Sequence, residues 1–162
     1  MIIRKANLKD VTKIVDLWKK FIKYPDEIII KNNKKVRPYF VKKKNAVTLF
    51  RKYIQKNILS KDSIIHIAEV DGKPVGYSLS FIKNTIPIFK MKKIGYISDL
   101  FVKKEFRGIG ISTKLKDEAI KWFKKRGMKH ASIMVYTDNK FAHSIYKKWG
   151  FFDFHIEMRK KV

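Results

Sequence analysis

Apolar residues recur along the chain in two rhythms, one near four residues and one of two. Leu8, Val11, Ile14, Val15, Trp18 and Ile22 keep helical spacing behind Asn7, whose side chain suits an N-cap. Val47, Phe50, Tyr53, Ile54 and Ile58 repeat that spacing behind Asn45. Strand alternation marks residues 2–5, 64–70 and 75–81, the last two joined through Asp71-Gly72, a strong hairpin turn signal. Pro74 falls just after the turn, where a strand tolerates it. Further strands are predicted over residues 93–102, from Ala131 to Tyr136, and from Phe151 onward. A helix carrying Leu115, Ala119, Ile120, Trp122 and Phe123 is stopped by Gly127, and another runs from about Lys140 to Trp149 with Gly150 as its C-cap. Residues 24–44, with Pro25, Asn32-Asn33 and Arg37-Pro38, predict a lysine-rich loop or broken helix; residues 84–92, with Pro87, predict an extended loop. The order β-α-α-β-β-β-α-β-α-β belongs to the α/β (α+β) class, a sheet with helices on its faces.

The length of 162 residues fits one domain spanning residues 1–162, and 45% hydrophobic residues suffice to fill its core. No apolar run approaches the ~18–20 residues of a membrane span, and the N-terminus lacks a secretory apolar stretch, so a cytoplasmic protein without membrane association is expected. The absence of cysteine excludes a disulfide framework, a thiolate zinc site and a cysteine nucleophile. His66, His130, His143 and His155 show no metal-ligand spacing, and no metal site is expected.

Charge changes the picture more. Thirty-nine Lys and Arg face 14 acids, a formal +25, which favours anionic partners such as nucleic acid or the ribosome. Lysine supplies 33 of the cations and isoleucine occurs 23 times, a bias that an AT-rich genome or a thermophile's surface also produces. Neither of those explains the scarcity of acids.

Candidate chemistry begins at the glycine loop Arg107-Gly108-Ile109-Gly110-Ile111-Ser112-Thr113, set between a strand and a helix. Unpaired N–H groups and the positive dipole end at a helix N-terminus hold an anion, and glycines let the backbone approach it closely. The loop is neither a Walker A nor a dinucleotide fingerprint. Some 25 residues on, Asn139, Ala142 and Tyr146 share one helical face; Asn139 could serve only as a cap and Tyr146 only as core. Taken together, the Ile-Ser-Asp-Leu-Phe-Val strand ending at Val102, the Arg-x-x-Gly loop at Arg107–Gly110, the hairpin through Asp71-Gly72 and the Asn-x-x-Ala-x-x-x-Tyr-x-x-x-Gly-Phe segment from Asn139 to Phe151 resemble the GCN5-related N-acetyltransferases, the GNAT superfamily. The resemblance is good over about residues 60–158 and extends to the N-terminal third in order of elements only.

It implies a mixed, mostly antiparallel sheet flanked by helices and splayed between the strand ending near Val102 and the strand near Ala131–Tyr136. Acetyl-CoA is the implied cosubstrate. Its pyrophosphate would lie on backbone N–H groups of Arg107, Gly108, Ile109, Gly110, Ile111, Ser112 and Thr113, with Ser112 where the family usually has Gly or Ala. Leu100, Phe101 and Val102 would pair with the pantetheine arm, an N–H near Phe101 or Val102 polarising the thioester carbonyl. Asn139 would touch the cofactor from the opposite strand, and Tyr146 would protonate the departing thiolate as general acid. Related polyamine-type enzymes carry a glutamate where this chain has Ser98. Asp99 is therefore the candidate base or amine-binding group, on the face opposite Ser98 by strand alternation, with Glu69 and Glu27 as further acids able to line the cleft. The reading is an N-acetyltransferase acting on a primary amine of a small molecule or protein by direct attack in a ternary complex. Its alternative is a basic nucleic-acid- or ribosome-binding module on the same fold without turnover. By analogy the family also admits a homodimer.

Overall fold

The computed structural model describes residues 1–23 and 29–162, and the candidate acid Glu27 lies outside the described residues. Five strands form one sheet in the order β1 (Ile2–Lys5), β2 (Ser63–Val70), β3 (Lys73–Asn84), β4 (Lys93–Val102) and β5 (Ala131–Ile133). The first four pair antiparallel and β5 runs parallel to β4, which gives the mixed, mostly antiparallel sheet that the sequence implies. Asp71 and Gly72 turn β2 into β3 with φ of 49° and 70°, the left-handed pair that a two-residue hairpin requires.

Helices cover both faces. On one side α1 (Val11–Phe21) and α3 (Ala46–Leu59) bury Ile14, Leu17 and Ile54 against Ile65, Ile67, Tyr77, Leu79 and Phe101. Trp18 of α1 stacks on Phe50 of α3, ring centroids 4.1 Å apart. On the other side α4 (Ile111–Lys125) lays Ile111 and Leu115 against Ala68, Val75 and Val102, and Ala119 and Phe123 against Ile97. The described part of the lysine-rich stretch is broken helix: the single turn α2 (Ile30–Asn32), then a 3-10 segment over Lys34–Phe40. α5 (Lys140–Lys148) follows β5. No helix among the described residues is long and apolar enough to cross a membrane.

An ion cluster locks the N-terminal corner. Asn7 caps a 3-10 turn at Leu8–Asp10, and Asp10 returns the bond by accepting from the Asn7 N–H, a capping box. Arg4 then grips both Asp10 oxygens at 2.8 Å and both Glu69 oxygens at 2.9 and 3.0 Å, tying β1, β2 and the start of α1 together. The Arg4 hydrogen bonds hold the Asp10 carboxyl down to about 2.

Two expected strands are corrected. β5 ends at Ile133 rather than Tyr136, because β4 pairs with it only over Gly95, Tyr96 and Ile97 before diverging. No final strand starts at Phe151: residues 151–162 carry no regular element, and Phe152, Phe154, Ile156 and Met158 are exposed despite their period of two. Alternation alone does not make a strand where β5 offers only three residues of edge.

Beneath α4, His66 Nδ1, Ser78 Oγ and Ser80 Oγ are buried without hydrogen-bond partners among the described residues. Burial pulls the His66 imidazole down to about 4 from its ordinary 6.5, so His66 is neutral in the fold while the unfolded chain still takes up a proton. Stability is therefore lost as pH falls from about 6.5 towards 4, by at most about 3 kcal/mol. Denaturant titrations of the protein and of His66→Leu across pH 7 to 4 should show this slope in the parent only; an equal slope in both assigns it to another group. A second prediction concerns Gly95, where an added Cβ meets the Phe123 ring at 2.6–2.7 Å. Gly95→Ala should cost about 1–3 kcal/mol by overpacking, and Phe123→Leu in the same chain should recover part of it in thermal melts.

Candidate active site

The site grows from one irregularity in β4. Leu79 of β3 pairs with Asp99 and Ser80 with Ile97, which leaves Ser98 as an extra residue, a β-bulge. A regular strand places residues three apart on opposite faces. The bulge cancels that alternation and brings Tyr96 and Asp99 to the face covered by α1 and α3. It also corrects the expected separation of Ser98 from Asp99, since Ser98 Oγ donates to Asp99 Oδ1 at 2.9 Å. Tyr77, fully buried on β3, donates its hydroxyl to Asp99 Oδ2 at 2.8 Å.

Burial raises the Asp99 carboxyl above its ordinary 3.8, although the two hydroxyl bonds oppose the shift. Tyr53 of α3 and Tyr96 are themselves raised, first by burial and then by the negative charge of Asp99, and Tyr136 beyond β5 is raised by burial against the opposing Arg159 cation, with a smaller contribution from Asp99. Tyr77 thus touches the carboxylate, and Tyr53, Tyr96 and Tyr136 feel its charge. Phe40 closes edge-on against Tyr136, centroids 5.6 Å apart. Sequence reasoning missed Tyr53, Tyr77, Tyr96 and Tyr136 because they come from four separate segments and, for Tyr96, because only the bulge turns it to this face.

Other acids are engaged elsewhere. Glu69, a candidate for the cleft, is bound to Arg4 and to Lys13 Nζ at 3.2 Å, and those bonds lower its carboxyl. His143 and Lys147 share the Asp153 carboxylate at 2.6 and 3.2 Å.

β4 also supplies an open edge. Lys103 N–H donates to Val75 O at 2.9 Å, so along β4 the groups of Phe101 and Asp99 point towards β3 while those of Leu100 and Val102 point away. Arg107 Nε donates to Val102 O at 3.0 Å from that outer side. Of the two N–H groups expected to face a thioester, Val102's is thus directed outward and Phe101's towards β3. After Ile97 this edge is free of β5, which is the splay.

Beyond the edge, Gly108 and Gly110 both take φ of 82°, with nothing within 4 Å of where a Cβ would stand. Gly110 starts α4 with no side-chain cap, so the N–H groups of Ile111, Ser112 and Thr113 face outward uncapped. Positive φ at alternate residues beside a helix start makes a concave nest of donors, suited to a diphosphate. Asn139 is not on a strand. It caps α5, its side-chain oxygen accepting from Ala142 N at 3.1 Å, which leaves its amide NH2 for other partners. Tyr146 lies on α5, stacked on Trp149 at 5.4 Å and edge-on to Phe151 at 6.4 Å, and burial pushes its hydroxyl up to about 12.

Comparison with known proteins fits this layout. The profile of the Acetyltransferase (GNAT) family matches residues 31–151. An uncharacterised N-acetyltransferase of Methanocaldococcus jannaschii is 35% identical over 70% of this chain, which spans only 48% of that protein's length. A second, from Archaeoglobus fulgidus, is 31% identical over 90% of this chain and 89% of its own. An N-alpha-acetyltransferase of Sulfurisphaera tokodaii is 25% identical over 92% and 78%. Among solved structures, the BH1408 protein of Bacillus halodurans superposes with a TM-score of 0.82 at 23% identity over the whole of both chains. A predicted acetyltransferase of Clostridium acetobutylicum, solved with acetyl-CoA, gives 0.74 at 18% identity over 99% of this chain and 95% of its own. With the splayed sheet, the glycine nest and a family match reaching from α2 to the end of α5, the chain belongs to the GNAT acetyltransferase family.

Proposed function

We propose that the protein transfers the acetyl group of acetyl-CoA to a polypeptide α-amine by direct attack within a ternary complex. The observation that carries this reading is Asp99. Among the described carboxylates with side-chain hydrogen-bond partners, it alone is bound by hydroxyls and by no cation, in a chain with 39 Lys and Arg. A buried negative group bonded to hydroxyls and to no cation suits an incoming ammonium.

The chemistry rests on the groups in place. An α-amine, with a pKa near 8, gives up its proton far more readily than a lysine near 10.4. Asp99, raised by burial, is a stronger base than an exposed carboxylate and can take that proton. The freed nitrogen attacks the thioester carbonyl carbon, whose oxygen gains electron density and is held by the outward N–H of Val102. The C–S bond then breaks. Tyr146, protonated throughout the working pH range, offers its hydroxyl proton to the departing sulfur, and the proton that the nitrogen sheds as the amide forms restores the phenol through solvent. The nest at Gly108–Thr113 supplies the pyrophosphate donors. Support for the α-amine comes from the Sulfurisphaera relative, named an N-alpha-acetyltransferase. The Clostridium structure with acetyl-CoA supports the cosubstrate.

A +25 chain attracts any polyphosphate, so binding is measured against a control. Calorimetry at about 0.15 M salt should give tight acetyl-CoA binding and weak ATP binding. Gly110→Ala, which forces a Cβ into the left-handed region, should weaken acetyl-CoA roughly 5- to 30-fold. Equal binding of both ligands favours a basic nucleic-acid-binding module over an enzyme. For turnover, Tyr146→Phe should lower kcat by about 10²–10⁴ with little change in KM. Asp99→Asn should lower kcat and abolish the acid limb of the pH–rate profile, whose midpoint in the parent lies above 3.8. A retained acid limb removes Asp99 from the role of base.

A further inference from the structure

Resting on the α-amine reading above, we propose that the natural acceptor is a polypeptide with acidic residues directly after its N-terminal amine, held by a basic rim over the Asp99 pocket. Residues 29–61, which hold α2, the 3-10 segment and α3, contain eleven Lys and Arg and no Asp or Glu. Ile54 of this stretch packs in the same core as Tyr77, the hydroxyl partner of Asp99. Tyr53 of α3 lies within the field of Asp99, and Phe40 packs on Tyr136, which feels the same charge. Arg159 adds a further cation, its guanidinium over the Tyr39 ring at 4.8 Å.

These rim cations are not consumed internally. Lys34, Lys35, Arg37, Lys43, Lys44 and Lys56 are exposed and form no ion pair among the described residues. Most of the described carboxylates elsewhere are tied to cations of their own, as Asp62 is to Arg126 and Glu69 to Arg4. Asp138 and Glu157 lie two residues from Tyr136 and Arg159 in sequence, and Glu157 is bound by Arg159 at 2.6 Å. Charge is thus arranged in two shells: one carboxylate at the floor for an ammonium, and cations around the mouth for the acceptor residues beyond it. Three or four residues beyond the amine span roughly 10–14 Å in extended form, within the ~21 Å length of the 14-residue α3. A basic N-terminal segment meets repulsion there, and a small cation such as a free polyamine is repelled before it reaches Asp99. RNA would satisfy the rim but not the pocket, since nucleobase amino groups are conjugated into their rings and are poor nucleophiles.

The test uses the full chain, acetyl-CoA and three octapeptides with the same first residue and free α-amine, whose positions 2–5 are acidic, neutral or basic. At about 50 mM salt, kcat/KM should fall in the order acidic, neutral, basic, with about 10- to 100-fold between the extremes, and the spread should shrink severalfold by about 300 mM. Lys34→Glu/Lys35→Glu/Arg37→Glu should flatten or invert the order while leaving acetyl-CoA affinity and turnover of the neutral peptide unchanged. The milder triple change to Gln should reduce the preference without inverting it. Equal kcat/KM for all three peptides, or preference for the basic one, overturns the proposal. So does strong inhibition by poly-U without an acidic-peptide preference, which assigns the rim to RNA. Failure to acetylate any peptide while acetyl-CoA still binds tightly overturns this acceptor class, whereas failure to bind acetyl-CoA strikes the underlying enzyme reading instead.

Discussion

The single extra residue at Ser98 is the constraint on which the working half of the molecule depends. Without it, Tyr96 and Asp99 would face opposite sides of the sheet. With it, pairing to β5 ends at Ile97↔Ile133, the edge carrying Leu100 and Val102 is released, and a carboxylate is turned into an aromatic pocket. A bulge costs ladder hydrogen bonds and adds twist. Here the neighbours absorb that cost. Phe123 packs onto Gly95 just before the divergence, and Tyr77 and Ser98 hydrogen-bond the carboxylate just after it.

Charge follows a matching division of labour. Most of the described acids pair with cations in the architecture: Asp10 and Glu69 with Arg4 at the N-terminal corner, Asp62 with Arg126, Asp153 with His143 and Lys147. Asp99 is exempt, and hydroxyls take the place of a cation around it. A hydroxyl partner stabilises a carboxylate by hydrogen bonding without neutralising it, so its field persists in the pocket and reaches Tyr53, Tyr96 and Tyr136. An adjacent lysine would have quenched that field and lowered the proton affinity that a base needs.

How much of this was legible in the sequence depends on whether backbone or side chains carry the feature. The hairpin at Asp71-Gly72, the glycine nest and the helix starts at Asn7 and Asn139 are local, and local residues announce them. The family resemblance likewise rested on segments whose spacing is fixed by backbone recognition of one ligand. The bulge was not legible, since Ser98 is an ordinary strand residue and the shift exists only relative to β3. Alternation misled at both ends of that problem: it separated Ser98 from Asp99, and it made a strand of residues after Phe151 that have no edge to join.

The same distinction explains why the two halves of the cleft are built differently. One cosubstrate can be held by N–H groups and glycine conformations, which tolerate wide sequence change elsewhere, so the 18% identical Clostridium chain keeps the fold. An acceptor must be discriminated from others, and discrimination needs side chains from segments free to vary independently. Tyr53, Tyr136 and the lysines of residues 34–44 come from such segments, outside the strand ladders. On the proposed acetyl transfer, acceptor choice would shift by surface substitution on α3 and the 3-10 segment while the bulge, the nest and Asp99 stay as they are.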